Sequence, residues 1–151
     1  MSVSVEELTQ RLTGKVLPGG SIVVEPHESA IVDDALRAGD SAEGLAHPFW
    51  FIVTSLRCMG ISVDELCALA AQEDGDVLLF GQCDVVQHRP MLVGRTYDAA
   101  ASISAVGSTT TRDGSRLDSV DVTVHIQDEG AASVGTVTSR YLFKRRRGHV
   151  C

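Results

Sequence analysis

Aromatic residues are scarce in this 151-residue chain: one tryptophan, two tyrosines and four phenylalanines make up 5% of it. Lysine is scarcer still, present only as Lys15 and Lys144. No uninterrupted apolar run approaches the ~18 residues that a membrane-spanning helix needs. The most apolar one, Phe49 to Val53, stops at Thr54 and Ser55, so no membrane association is expected. Cys58, Cys67, Cys83 and Cys151 form no C-x-x-C pair, and no zinc-ligand spacing surrounds them. The first three sit among apolar neighbours, where a reduced cysteine behaves as a small hydrophobe. Acidic residues are missing after Glu129. Up to that point 20 acidic residues face 8 basic ones, and beyond it come only Arg140, Lys144, Arg145, Arg146 and Arg147. An acidic body with few aromatics repels polyanions and offers little for bases to stack on, which argues against nucleic acid as a partner. The N-terminus is polar and acidic, without a secretory signal's basic start and apolar stretch, so the cytoplasm is the expected location.

What is present is the material of one soluble globular domain. Apolar residues make up 44% and charged residues 22%, close to the average for such domains and in a chain long enough to bury a core. The domain is expected to span 1–151, with an N-terminal helical extension over 1–20 and a basic tail over 145–151. Ser4, with Glu7 three residues on, predicts a capped helix over 5–12. Leu17-Pro18-Gly19-Gly20 reads as the turn that ends this extension. Residues 21–25 form a short strand-like run, and 27–38 carry helical spacing through Ala30, Ile31, Ala35 and Leu36. From Pro48 the chain is apolar on most sides, the mark of a buried helix. Gly60 interrupts it. Ser62 and Glu65 then form a capping box for a second helical stretch reaching about Ala71.

From Val77 the period changes to two. Residues 77–88 and 96–106 are strand-like, and Asp113-Gly114 marks a hairpin turn. Over 117–127, Val120, Val122, Val124 and Ile126 alternate with Ser119, Asp121, Thr123 and His125. Over 133–143 the alternation returns, with Gly135, Val137, Ser139 and Tyr141 on one face. Strands joined by short turns imply an antiparallel sheet. One face of that sheet must be buried, and the apolar helical region over 48–71 is its natural cover. The expected class is α+β: a single hot dog, an antiparallel sheet wrapped around a long central helix.

The stretch from Phe80 to Gly94, F-G-Q-C-D-V-V-Q-H-R-P-M-L-V-G, resembles a segment of MaoC-like dehydratases and type 2 enoyl-CoA hydratases. There a Gly-Glu-Gln strand leads into an (Arg/Lys)-Pro turn and a Gly. Arg112-Asp113-Gly114, the closing strand over 136–143, and Ala46-His47-Pro48-Phe49 fit the same pattern. The resemblance covers about 32–147. It implies an acyl thioester of coenzyme A or acyl carrier protein as substrate, no separate cofactor, and a role in fatty acid or steroid metabolism. No metal is expected, since a site needs three or four convergent ligands and no helix or hairpin supplies even a histidine pair. In that family a Gly-Asp-x-Asn-Pro-x-His motif holds an Asp and a His on one water that adds to, or leaves from, an enoyl thioester.

Here the corresponding stretch reads G-D-S-A-E-G-L-A-H from Gly39 to His47. Asp40 and His47 are seven apart rather than five, and Asn-Pro is missing. They are the candidate catalytic pair. The competing reading has Asp40 ending one helix and His47 capping the next. The better match is to the family's non-catalytic half, or to a small non-catalytic subunit that shapes the acyl pocket while a partner chain supplies the Asp/His site. A homodimer or a heterodimer with a catalytic hot dog subunit is then expected. Candidate substrate-binding residues are Phe49 and Trp50, as an acyl-tunnel lining or as plain core. His88 and Arg89 join them, as phosphate contacts or as a solvated strand end. Two other readings stay open. One is a hot dog acyl-CoA thioesterase, for which Asp64 and Glu65 are the acidic candidates. The other is a non-enzymatic acyl-CoA-binding or assembly module.

Overall fold

The protein is described by a computed structural model covering residues 3–36 and 44–146. Helix α1, Val5–Leu12, starts at Ser4, whose hydroxyl accepts the Glu7 N–H at 3.1 Å. It buries Leu8 and Leu12 completely, a contribution of about 1.5–3 kcal/mol each. The expected N-terminal extension is therefore part of the core.

Strand β1, Val16–Val23, comes next, then α2, Pro26–Ala35, α3, Phe49–Arg57, and α4, Val63–Leu69. Four long strands follow: β2, Val77–Gln87; β3, Thr96–Thr110; β4, Arg116–Gln127; and β5, Ser133–Lys144. They make one five-stranded antiparallel sheet in the order β1-β3-β4-β5-β2. On β4 the expected face is buried: Val120, Val122, Val124 and Ile126 are each at most 2% exposed. Their β5 partners, Tyr141, Ser139, Val137 and Gly135, lie on the same inner face. Helix α3 packs there with Trp50 and Phe51, both 1% exposed.

The central helical region is two short helices rather than one long one. Gly60, at φ +86°, divides α3 from α4, and a Cβ there would lie 2.5 Å from the Gly19 nitrogen. Ser62 caps α4 by accepting the Glu65 N–H at 3.0 Å, while the Glu65 carboxylate accepts the Ser62 N–H at 3.2 Å. The expected turn at Leu17-Pro18-Gly19-Gly20 is instead the middle of β1. The strand passes through it by a bulge between Leu17 and Gly20, with Gly19 at φ +69°. Proline and a bulge are tolerated there because β1 is an edge strand.

The basic tail is also corrected at its first residue. Arg145 is 4% exposed. Its guanidinium donates to Asp118 at 2.8 Å, to Asp76 at 3.2 Å and to the Ala70 carbonyl at 2.7 Å. Asp118 also accepts from Arg116 and Ser108, and Arg116 reaches the Val3 carbonyl. Burial pushes the Asp118 carboxyl up, but the hydrogen bonds from Arg116, Arg145 and Ser108 outweigh it and hold it below the ordinary range. At Asp76, burial is likewise outweighed by the Glu73 and Arg146 N–H groups and by Arg145. The clasp ties the N-terminus, the end of α4, the start of β2 and the end of β5 into one unit.

Candidate functional site

Proline at the N-cap of α3 brings no side-chain cap, so the first turn must find an acceptor elsewhere. His47 supplies it: its Nδ1 accepts the Phe49 N–H at 3.0 Å. A neutral ring in this arrangement carries its proton on Nε2, which leaves that nitrogen as the one able to donate to a substrate or water. The partner proposed for it in sequence, Asp40, lies outside the described residues.

The His47 segment is held against the turn after β2. Leu45 bridges to Leu92. The Ala46 N–H donates to the Met91 carbonyl and the Val93 N–H to the Gly44 carbonyl, both at 2.8 Å. His47 and the His88-to-Gly94 turn, far apart in sequence, therefore belong to one corner of the molecule. In that corner His88 is exposed and anchored through its backbone N–H to Val134. Arg89 donates to the Asp128 carboxylate at 2.6 Å. Asp128 also accepts the Gly130 and Ala132 N–H groups. Its carboxyl is held below the usual range by the Ala132 N–H first and by Arg89 next.

Arg89 lines a cavity of about 420 Å³ together with Pro90, Leu92, Arg95, Tyr97 and Asp128. Tyr97 accepts the Leu92 N–H at 2.7 Å. Arg95 makes no ion pair among the described residues. Sequence reasoning passed over it, although its position directly after the Gly94 turn, six residues from Arg89, was a usable signal.

The two aromatic candidates separate. Trp50 is buried, and its indole N–H has no acceptor among the described residues. Phe49, its neighbour, is 40% exposed. Phe51, which sequence reasoning did not single out, fills the space over Gly135, where a Cβ would come within 2.6 Å of its ring.

Next to this corner the inner face of the sheet is incompletely covered. Register with β5 places Leu78, Phe80, Cys83 and Val85 opposite Phe143, Tyr141, Ser139 and Val137. The β5 members are buried, whereas Phe80 is 53% and Val85 39% exposed. Phe80 meets Tyr141 edge to face at 5.5 Å, with its other side open. On the outer face Val77, Leu79 and Val86 are also exposed. Burial raises the Cys58 and Cys67 thiols, so neither is an activated nucleophile. Among the described residues no group of three or more His, Cys, Asp or Glu side chains converges as a metal site. No helix there is long and apolar enough to cross a membrane.

No family model and no curated protein matches the sequence. Solved structures do match the fold. A hot-dog-like protein from Thermanaerovibrio acidaminovorans aligns with a TM-score of 0.59 at 13% identity, over 95% of this chain and 89% of its own. The C-terminally truncated HadBC (3R-hydroxyacyl-ACP dehydratase) complex from Mycobacterium tuberculosis aligns with a TM-score of 0.61 at 15% identity, over 87% of this chain and 96% of that one. A probable thioesterase from Bartonella henselae aligns at 0.55 and 9% identity, over 89% and 96%. The architecture is the hot dog fold, a sheet curved over its helix, and it is shared by dehydratases and thioesterases alike.

Proposed function

We propose that the chain is a MaoC-like subunit of an (R)-specific enoyl-thioester hydratase, or of the reverse 3-hydroxyacyl-thioester dehydratase. It shapes the acyl pocket, and a partner hot dog chain supplies the Asp/His pair that activates water. The observation that carries this reading is the uncovered inner face of β2. Phe80, Cys83 and Val85 prolong the apolar inner face beyond the buried core, on β2, which is an edge strand paired only with β5 among the described residues. A second hot dog pairing along that edge would close the face into a pocket for an acyl chain. The HadBC relative is itself a complex, which supports a two-chain arrangement. His47 fits the supporting role, since one of its two nitrogens is spent on capping α3. In this reading Phe49 stands at the pocket mouth. Arg95 and Arg89 meet the phosphates of coenzyme A or of a carrier protein's pantetheine, Arg89 only after exchanging Asp128 for the ligand.

The test is hydration of crotonyl-CoA and longer enoyl-CoAs by the purified chain. Binding without turnover is the expected result. Robust turnover by the chain alone would place the catalytic pair on Asp40 and His47 and overturn the partner-supplied site. The thioesterase reading is favoured by the Bartonella likeness. It asks for an acid facing the thioester, yet Glu65 is spent on its capping box and Asp64 is exposed. Release of free thiol from acyl-CoA would select it. A homodimer that binds acyl-CoA unchanged, with no catalytic partner, would mark a non-enzymatic module.

A further inference from the structure

The Trp50 indole N–H is a buried donor with no partner among the described residues, which a fold tolerates only where something else is gained. Its helix neighbours do not help. Thr54, one turn on, donates its hydroxyl to the Trp50 carbonyl at 2.7 Å, with the Met91 sulfur at 3.8 Å as the alternative acceptor, and its oxygen does not accept the indole N–H. What lies over the indole is a cation: the Arg57 guanidinium sits 5.8 Å from the ring centroid. Arg57 is in turn held from α2 by Glu28, at 2.9 Å. That ion pair is partly exposed, with the two side chains 51% and 30% accessible, and such pairs hold weakly. The rest of α2 adds little. Of its ten residues only Ser29 is buried, and Ile31 is 64% exposed. A poorly packed helix of this kind belongs to the low-stability end of local opening.

We infer that Arg57, latched from α2 by Glu28, is a cover over Trp50, and that the Trp50 N–H is a hydrogen-bond donor kept for an acyl ligand. The ligand class rests on the acyl-thioester reading above. A neutral N–H among apolar side chains suits an uncharged oxygen on an apolar chain, such as a thioester carbonyl or a 3-hydroxyl. A phosphate would instead seek a free cation, and Arg57 is already paired. Trp50 is then a ligand-positioning residue, while Glu28 acts only through Arg57.

The chain has one tryptophan, so its fluorescence reports on this site alone. Glu28→Gln is expected to raise the acrylamide quenching constant of Trp50 about 2–5-fold, the range set by loss of one exposed ion pair. Saturating octenoyl-CoA should bring it back towards the wild-type value and shift the emission, whereas coenzyme A alone should not. Trp50→Phe should weaken octenoyl-CoA binding by calorimetry about 3–10-fold, the worth of one neutral hydrogen bond, and leave coenzyme A binding unchanged. Equal quenching in Glu28→Gln and wild type overturns the cover, and this variant serves even if Trp50→Phe folds poorly. Wild-type affinity in a folded Trp50→Phe overturns the donor. Raised quenching in Glu28→Gln with no binding of any acyl-CoA supports the cover, but overturns the donor role together with the acyl-thioester reading.

Discussion

The two edges of the sheet are built to opposite rules. At β1 the edge is interrupted by Pro18 and by the Gly19 bulge, and Gly60 packs its backbone against it. These are devices that prevent a free edge from pairing with another chain. At β2 the edge runs for eleven residues without proline, a bulge at Gly81 aside, with five large apolar side chains exposed over both faces. A sheet that blunts one edge and leaves the other open and apolar fits the two-chain arrangement proposed above. The contrast also explains why β2 reads as an ordinary strand in sequence while most of its apolar side chains stay outside the core.

The contrast can be broken hardest at its base. The start of β2 is held by Asp76 in the Arg145 clasp. Arg145→Ala takes the ion-pair partner from buried Asp76 and leaves buried Asp118 with Arg116 alone, and should cost about 3–5 kcal/mol in urea unfolding. The same clasp sets an acid limit. Both carboxyls are depressed in the folded chain, so their contribution is complete above the ordinary carboxylate pKa of about 4 and declines as pH falls through their lower folded values. Urea midpoints measured from pH 6 down to pH 2 should drop on the acid side, and the Arg145→Ala chain should show a shallower drop. On the β1 side, Gly60→Ala forces a side chain into a left-handed conformation and against Gly19. A loss of about 1–3 kcal/mol is expected, read as a lower thermal midpoint. Ser62→Ala removes the α4 cap and should cost about 1 kcal/mol. Smallest in stability are changes on the open edge. Val86→Lys should stay within about 0.5 kcal/mol of wild type, yet abolish association with the partner hot dog chain by sedimentation. Val16→Lys on β1 should leave association intact. If the two lysines behave alike, the difference between the edges has no functional meaning.

Much of the fold was legible because its causes are local. The alternation on β4 and β5, the Ser4 and Ser62 caps and the Asp113-Gly114 turn each depend on residues within a few positions of one another. The Leu17-to-Gly20 stretch departs from its local pattern for the complementary reason. Pro-Gly-Gly is turn chemistry by itself, and only pairing with Ala99 and Ala101 on β3 makes it a bulged strand. The site was less legible than the fold. His47 and the His88-to-Gly94 turn were each noted, but their meeting depends on backbone bonds between segments some forty residues apart. Arg95 was missed, and Arg145 looked like one more charge in a basic run.

Sequence alone determined the class of this protein: helices first, then an antiparallel sheet with one apolar face, capped where serine and glutamate recur at the right interval. Period and capping are short-range effects, and they survive without knowledge of what the chain packs against. Tertiary structure decided which apolar residues are core and which are surface, since β2 and β4 carry similar side chains and differ only in their neighbours. It also decided that an arginine at the head of a basic tail is a buried clasp, because a charge can be buried only where distant carboxylates and carbonyls converge on it.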